Sequence, residues 1–104
     1  GLLATCYARP TTATSTGVLL DALSRFYDDE PFVVVSESSP STKAVLGSNA
    51  AHISARFDER TGTVVALCAI DNLTKGASGG AVQAANIALG LPETAGLTQI
   101  GLYP

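Results

Sequence analysis

The stretch His52-Ile53-Ser54-Ala55-Arg56-Phe57-Asp58-Glu59-Arg60-Thr61-Gly62, continued by Thr63-Val64-Val65-Ala66-Leu67-Cys68-Ala69-Ile70, decides the fold. From His52 to Asp58 the side chains alternate, with Ile53, Ala55 and Phe57 on one face and His52, Ser54 and Arg56 on the other. That is the period of a half-buried strand. Glu59 to Gly62 makes the turn, and Gly62 can take the positive φ that a hairpin needs. Thr63 to Ile70 returns as an almost unbroken apolar run, the pattern of a strand covered on both faces. This turn sets Asp58 opposite Thr63, His52 opposite Ala69 and Cys68 opposite Ile53. A step of one residue changes face, so His52 and Cys68 lie on opposite sides of the sheet. That argues against a thiol–imidazole catalytic pair. It leaves Cys68 as a packed core thiol and His52 on the polar or interface face.

Working outward toward the N-terminus, Gly47-Ser48-Asn49 turns the chain, as a simple turn or as a polar cluster facing a ligand, and Lys43 to Leu46 is expected as a brief edge strand. Ser36 to Thr42 is a polar loop around Pro40, and Phe32 to Val35 is a short β-branched strand. A helix capped by Ser15 or Thr16 runs to about Asp28, with Leu19, Ala22, Leu23 and Phe26 at i, i+3, i+4 and i+7 predicting one buried stripe. Asp28, Asp29 and Glu30 read as a solvated helix end before Pro31 rather than a cation site. Residues 2–9 form a first strand, ended by Pro10. On the C-terminal side, residues 71–80 are a polar, glycine-rich loop, Ala81 to Leu89 an alanine-rich helix capped by Gly90, and the tail to Pro104 holds only a short extended piece at Gln99 to Leu102. The order β-α-β, hairpin, helix predicts an α+β fold: a mixed, largely antiparallel sheet with helices packed on one face.

At 104 residues the chain fits one domain. Its formal charge is -3, and Arg9, Arg25, Lys43, Arg56, Arg60 and Lys75 are scattered. Nucleic-acid binding needs a concentrated basic face and is disfavoured. No apolar run approaches a membrane span, and the opening residues lack the pattern of a signal peptide. Cys6 and Cys68, far apart in apolar runs, suggest neither a disulfide framework nor a zinc site, which fits a reduced, cytoplasmic setting. Gly1 opens directly into a strand, so the natural beginning is expected upstream.

The most distinctive stretch is Asp71-Asn72-Leu73-Thr74-Lys75-Gly76-Ala77-Ser78-Gly79-Gly80-Ala81-Val82-Gln83. Backbone N–H groups where a glycine-rich loop starts a helix can hold an anion or a carboxamide oxygen, and Lys75 adds positive charge. A tight strand-to-helix turn with no ligand is the plainer alternative. Gly76-Ala77-Ser78-Gly79-Gly80 also matches the G-x-S-x-G nucleophile elbow, but the triad order needs a His after the Ser, and the one His precedes it.

Ala69 to Gly79, followed by Ala81-Val82-Gln83, resembles the C-terminal signature of N-acetyl-gamma-glutamyl-phosphate reductases. Leu89-Gly90-Leu91-Pro92-Glu93-Thr94 with Gly96-Leu97, Val45 to Asn49, and the opening Gly1 to Thr5 are similar to other segments of that family, in the same order. The resemblance implies a glyceraldehyde-phosphate-dehydrogenase-like C-terminal domain. It also implies a reaction in which a Cys thiolate attacks an acyl phosphate, phosphate leaves, and NADPH reduces the thioester to the semialdehyde in arginine biosynthesis. Neither Cys6 nor Cys68 stands in the family's nucleophile setting, His52 does not match its catalytic His motif, and the dinucleotide-binding glycine fingerprint is absent. No catalytic residue is therefore assigned here; the nucleophile and the acid–base His are expected upstream. The resemblance places residues 1–75 in the catalytic and dimerisation domain, and residues 76–104 as a C-terminal helix and tail packing on a nucleotide-binding domain outside the chain. It assigns cofactor binding to Asn72, Lys75, Gly76, Ser78 and Gly79, and a dimer or tetramer as the assembly. Without that neighbour, Val82, Ala85, Ile87 and Leu89 are expected to lose cover, at a cost of several kcal/mol per face. A non-catalytic dimerisation or binding module of the same fold, and a reductase acting on a lysine-pathway acyl phosphate, are the alternatives.

Overall fold

The computed structural model describes residues 1–102. Its elements are β1 (Leu2–Ala8), α1 (Thr16–Phe26), β2 (Val33–Val35), β3 (Ala51–Asp58), β4 (Thr63–Ile70), a π-helical turn (Thr74–Ser78) and α2 (Gly79–Ala88). The four strands form one mixed sheet in the order β1-β4-β3-β2. β1 and β3 both run antiparallel to β4, and β2 runs parallel to β3. The hairpin has the register that its alternation predicts: Asp58 opposite Thr63, His52 opposite Ala69, Ile53 opposite Cys68. Gly62 holds the turn at φ 64°, and its N–H donates to the Asp58 carbonyl at 2.8 Å.

α1 starts where a cap is available. The Ser15 hydroxyl accepts the Val18 N–H at 3.3 Å. The Thr16 hydroxyl accepts the Phe57 N–H at 3.0 Å, so the helix start is tied to the end of β3. α1 lies chiefly over β3. Leu19, Ala22, Leu23 and Phe26 face Ala55, Val64 and Ala66 across a crevice of about 330 Å³. The expected buried stripe is therefore only half covered: Leu19 and Leu23 are half-buried, while Phe26 is 78% exposed. The same offset leaves β4 short of the two-sided cover expected for it. Among its residues only Ala69 is fully buried, because no second element completes the layer over β1 and β4.

Three other expectations change. Lys43 to Leu46 is not an edge strand but a chain of tight turns, closed by Ala44 N–H to the Ser41 carbonyl, Leu46 to Lys43 and Ser48 to Val45. The reason is Val45, which is wholly buried and around which this segment wraps. The expected loop over residues 71–80 is already helical from Thr74, so α2 begins at Gly79 rather than Ala81. α2 continues directly from the π-helical turn and makes no substantial contact with the sheet, so helix packing on one sheet face describes α1 alone. The tail is more anchored than its sequence suggests. Asn86 donates to the carbonyls of Glu93 and Ala95, Leu97 is buried, and Leu102 N–H bonds the Leu46 carbonyl at 2.9 Å. Tyr103 and Pro104, the end of the expected tail, lie outside the described residues.

Candidate functional site

The bend after β4 is organised by Asp71. This carboxylate is 5% exposed, and it accepts the N–H groups of Leu73 and Thr74 on one oxygen and that of Gly47 on the other, each at 2.8 Å. The Gly47, Thr74 and Leu73 N–H groups, in that order, hold its pKa down from 3.8 to about 2, against a smaller opposing effect of desolvation. Its own carbonyl accepts Gly76 N–H at 2.9 Å, and the Leu73 carbonyl accepts Ser78 N–H at 3.0 Å. The backbone donors of Leu73, Thr74, Gly76 and Ser78, which the sequence offered as an anion cradle, are thus all taken within the turn.

Lys75 is also turned inward. Its Nζ donates to Gln83 Oε1 at 2.6 Å and stands 5.1 Å from the centre of the Phe32 ring. Gln83 Oε1 further accepts Asn49 Nδ2 at 3.0 Å, while Gln83 Nε2 donates to Glu93 Oε1 at 2.6 Å. Asn49 is 1% exposed, and its Oδ1 finds no hydrogen-bond donor. A Cβ on Gly79 would collide with that oxygen, so a Cα–H of Gly79 points at it. Gly79 is therefore a close-approach position between the Ser48–Asn49 turn and α2.

Of the five residues expected to bind cofactor, the fold separates an inner and an outer set. Lys75 and Gly79 belong to the internal network. Asn72, Gly76 and Ser78 are exposed, as are Leu73 and Ala77 between them. The Ser78 hydroxyl donates to the Leu73 carbonyl at 2.9 Å, which leaves its oxygen able to accept. This outer side has polar groups and no charge. Beside it, Thr74, Ser78, Gly79, Val82 and Gly96 line an open cleft of about 380 Å³.

His52 and Cys68 do lie on opposite faces. His52 lines a cleft of about 460 Å³ with Phe32, Val34, Ser48 and Leu97, whereas Cys68 lines a cavity of about 170 Å³ under α1 with Cys6, Leu23 and Tyr27. Burial, and then the Cys6 thiol, push the Cys68 pKa above its ordinary value, which disfavours the thiolate a nucleophile needs.

Sequence reasoning missed Asp71 as the organising group. The signal was present: an Asp just ahead of a helical segment is a cap pattern, hidden here by placing the helix start too late. Gln83 and Glu93 had no local signal, because their partners come from the β4–α2 bend, the Ser48–Asn49 turn and the tail.

Residues 1–72 match the family described as semialdehyde dehydrogenase, dimerisation domain. Curated relatives align with the whole chain. One from Acidothermus cellulolyticus, named N-acetyl-gamma-glutamyl-phosphate reductase, is 52% identical over 106 aligned positions, covering 100% of this chain and 31% of the relative. Proteins of the same name from Mycobacterium avium and Pseudarthrobacter chlorophenolicus are 52% and 53% identical, again over 100% of this chain and 30% and 31% of theirs. The chain thus spans about 31% of the length of such relatives.

Proposed function

The chain belongs to the semialdehyde dehydrogenase dimerisation-domain family, and from that premise we propose that it is the C-terminal part of an NADPH-dependent reductase acting on N-acetyl-gamma-glutamyl phosphate. In that enzyme it supplies an assembly surface and one wall of the cofactor site. The observation that carries its role is the uncharged outer side of the turn at Asn72, Gly76 and Ser78, left neutral because Asp71 and Lys75 are both directed inward. A neutral, hydrogen-bonding surface suits the nicotinamide and its carboxamide. It does not suit the phosphates, which call for outward cations or open N–H groups.

The bound cofactor supplies hydride. Asn72 and Ser78 offer polar contacts to its carboxamide, Gly76 permits close approach, and Lys75 and Gly79 act from behind by holding the turn. Neither thiol of this chain is the nucleophile. Cys68 is disfavoured by burial, and the attacking Cys and its His partner belong to the remainder of the polypeptide. In the same reading the domain is of the glyceraldehyde-phosphate-dehydrogenase type, and residues 76–104 pack on a nucleotide-binding domain. The exposure of Val82, Ala85, Ile87 and Leu89 supports that placement. A dimer or tetramer and a cytoplasmic setting complete it; no helix among the described residues is long and apolar enough to cross a membrane.

The test is to give the complete gene product NADPH and N-acetyl-gamma-glutamyl phosphate and follow absorbance at the reduced-nicotinamide band. Substrate-dependent loss of NADPH is the expected result, and no loss overturns the assignment.

A further inference from the structure

We infer that Gln83 is a positioning residue for the cofactor-facing turn, acting through Lys75; the inference rests on the function proposed above. Its side-chain amide stands between a cation and an anion. Oε1 accepts from Lys75 Nζ at 2.6 Å and from Asn49 Nδ2 at 3.0 Å, and Nε2 donates to Glu93 Oε1 at 2.6 Å. The orientation of the amide is dictated by its neighbours, since an ammonium only donates and a carboxylate only accepts. Two of the three bonds are charge-assisted and short.

Each partner comes from a different segment: Lys75 from the π-helical turn, Asn49 from the turn before β3, and Glu93 from the tail. The tail end is independently fixed, because Asn86 Nδ2 bonds the Glu93 carbonyl at 3.1 Å. Gln83 therefore locks the π-helical turn at a set depth against two anchored segments. It also keeps the Lys75 ammonium on the inner side, over Phe32. Without the amide oxygen, Lys75 loses its inward acceptor and its charge becomes free to swing to the outer side, where the turn is otherwise neutral. A Glu at position 83 retains the acceptor for Lys75 but faces Glu93 with a second carboxylate. Only a side chain with an acceptor on one side and a donor on the other satisfies both neighbours.

The experiment uses the complete gene product with Gln83→Met, Gln83→Glu, Glu93→Met, and the paired exchange Gln83→Glu with Glu93→Gln. The exchange reverses the polarity of the bridge while keeping every bond, since the new carboxylate accepts from both Lys75 and the new amide. Gln83→Met is expected to raise KM for NADPH on the order of five- to tenfold with kcat within about twofold and KM for the acyl phosphate unchanged. Glu93→Met, which removes the acceptor at the tail end of the bridge and nothing else of it, shows a smaller rise of the same kind. The paired exchange returns KM for NADPH to within about twofold of wild type, whereas Gln83→Glu alone does not. An unchanged KM for NADPH in Gln83→Met overturns the inference while leaving the proposed function standing. So does a parallel fall of kcat, substrate affinity and melting temperature that the exchange fails to reverse. If Gln83→Met does not fold, an unaltered KM in Glu93→Met overturns it equally. A wild-type protein that consumes no NADPH removes the proposed function, and this inference with it.

Discussion

Asp71 shows how one side chain sets a local geometry. Its carboxylate accepts three backbone N–H groups, two from the turn it begins and one from Gly47, twenty-four residues earlier. These bonds favour the charged form, so the folded pKa lies near about 2, below the ordinary 3.8. A carboxylate with a lowered folded pKa contributes stability that is fully present above its unfolded pKa and is lost as pH falls toward the folded one. The contribution from Asp71 is therefore intact at neutral pH and disappears between about 4 and about 2. Asp71→Asn keeps the shape, removes the charge and should lower the melting temperature at pH 7. The difference from wild type should shrink as the pH is lowered through that window, measured by thermal unfolding at stepped pH. A constant difference at all pH values contradicts this account of the turn.

At the scale of elements, the junction of the π-helical turn with α2 depends on how closely α2 approaches the Ser48–Asn49 turn. Gly79 is helical at φ -68°, so its requirement is space and not an unusual backbone angle. A methyl group there meets both Asn49 Oδ1 and the Thr74 carbonyl. Gly79→Ala is expected to cost about 1–3 kcal/mol by overpacking, despite the better helix propensity of Ala, as read from chemical denaturation. A stabilised variant would mean that the approach is looser than described. Elements set by local chemistry were legible beforehand. Ser15 as cap, Gly62 as turn residue and the β3–β4 alternation each gave the right element, because the deciding atoms lie within a few residues. Lys43 to Leu46 failed for the opposite reason. Its apolar residues suggested a strand, but burial of Val45 at the junction of several segments bends the chain into turns.

The whole molecule is a slab. Its principal extents are 45 × 29 × 19 Å and its radius of gyration is 15.0 Å, against about 13 Å for a compact chain of this size. α1 covers one face of the sheet, while the tail and the turns before β3 cover the other face only over β2 and β3, so its β1 and β4 end has little cover. On that face Leu3 is 53% and Tyr7 72% exposed, next to Val65 and Leu67 of β4. This open patch is the face expected to carry the self-association proposed above. In the complete gene product Tyr7→Lys should weaken self-association by at least about tenfold, the effect of a charge placed on an aromatic contact. Sedimentation equilibrium measures it, and an unchanged association constant rules this face out.

The sequence alone determined the hairpin and its register, the α+β class, the opposite siding of His52 and Cys68, and the stretch that resembles a reductase family. Each rests on periodicity, turn chemistry or a contiguous motif, which a linear string carries. Only the tertiary structure decided which residues of that motif face outward. Lys75 looked like an available cation, yet its acceptor Gln83 lies on the next helix and the Glu93 that orients Gln83 lies in the tail. Asp71 looked like the start of a loop, yet it closes the turn's N–H groups and reaches back to Gly47. Charges and backbone donors are satisfied by whatever partner lies nearest in space, and that proximity exists only once the chain has folded.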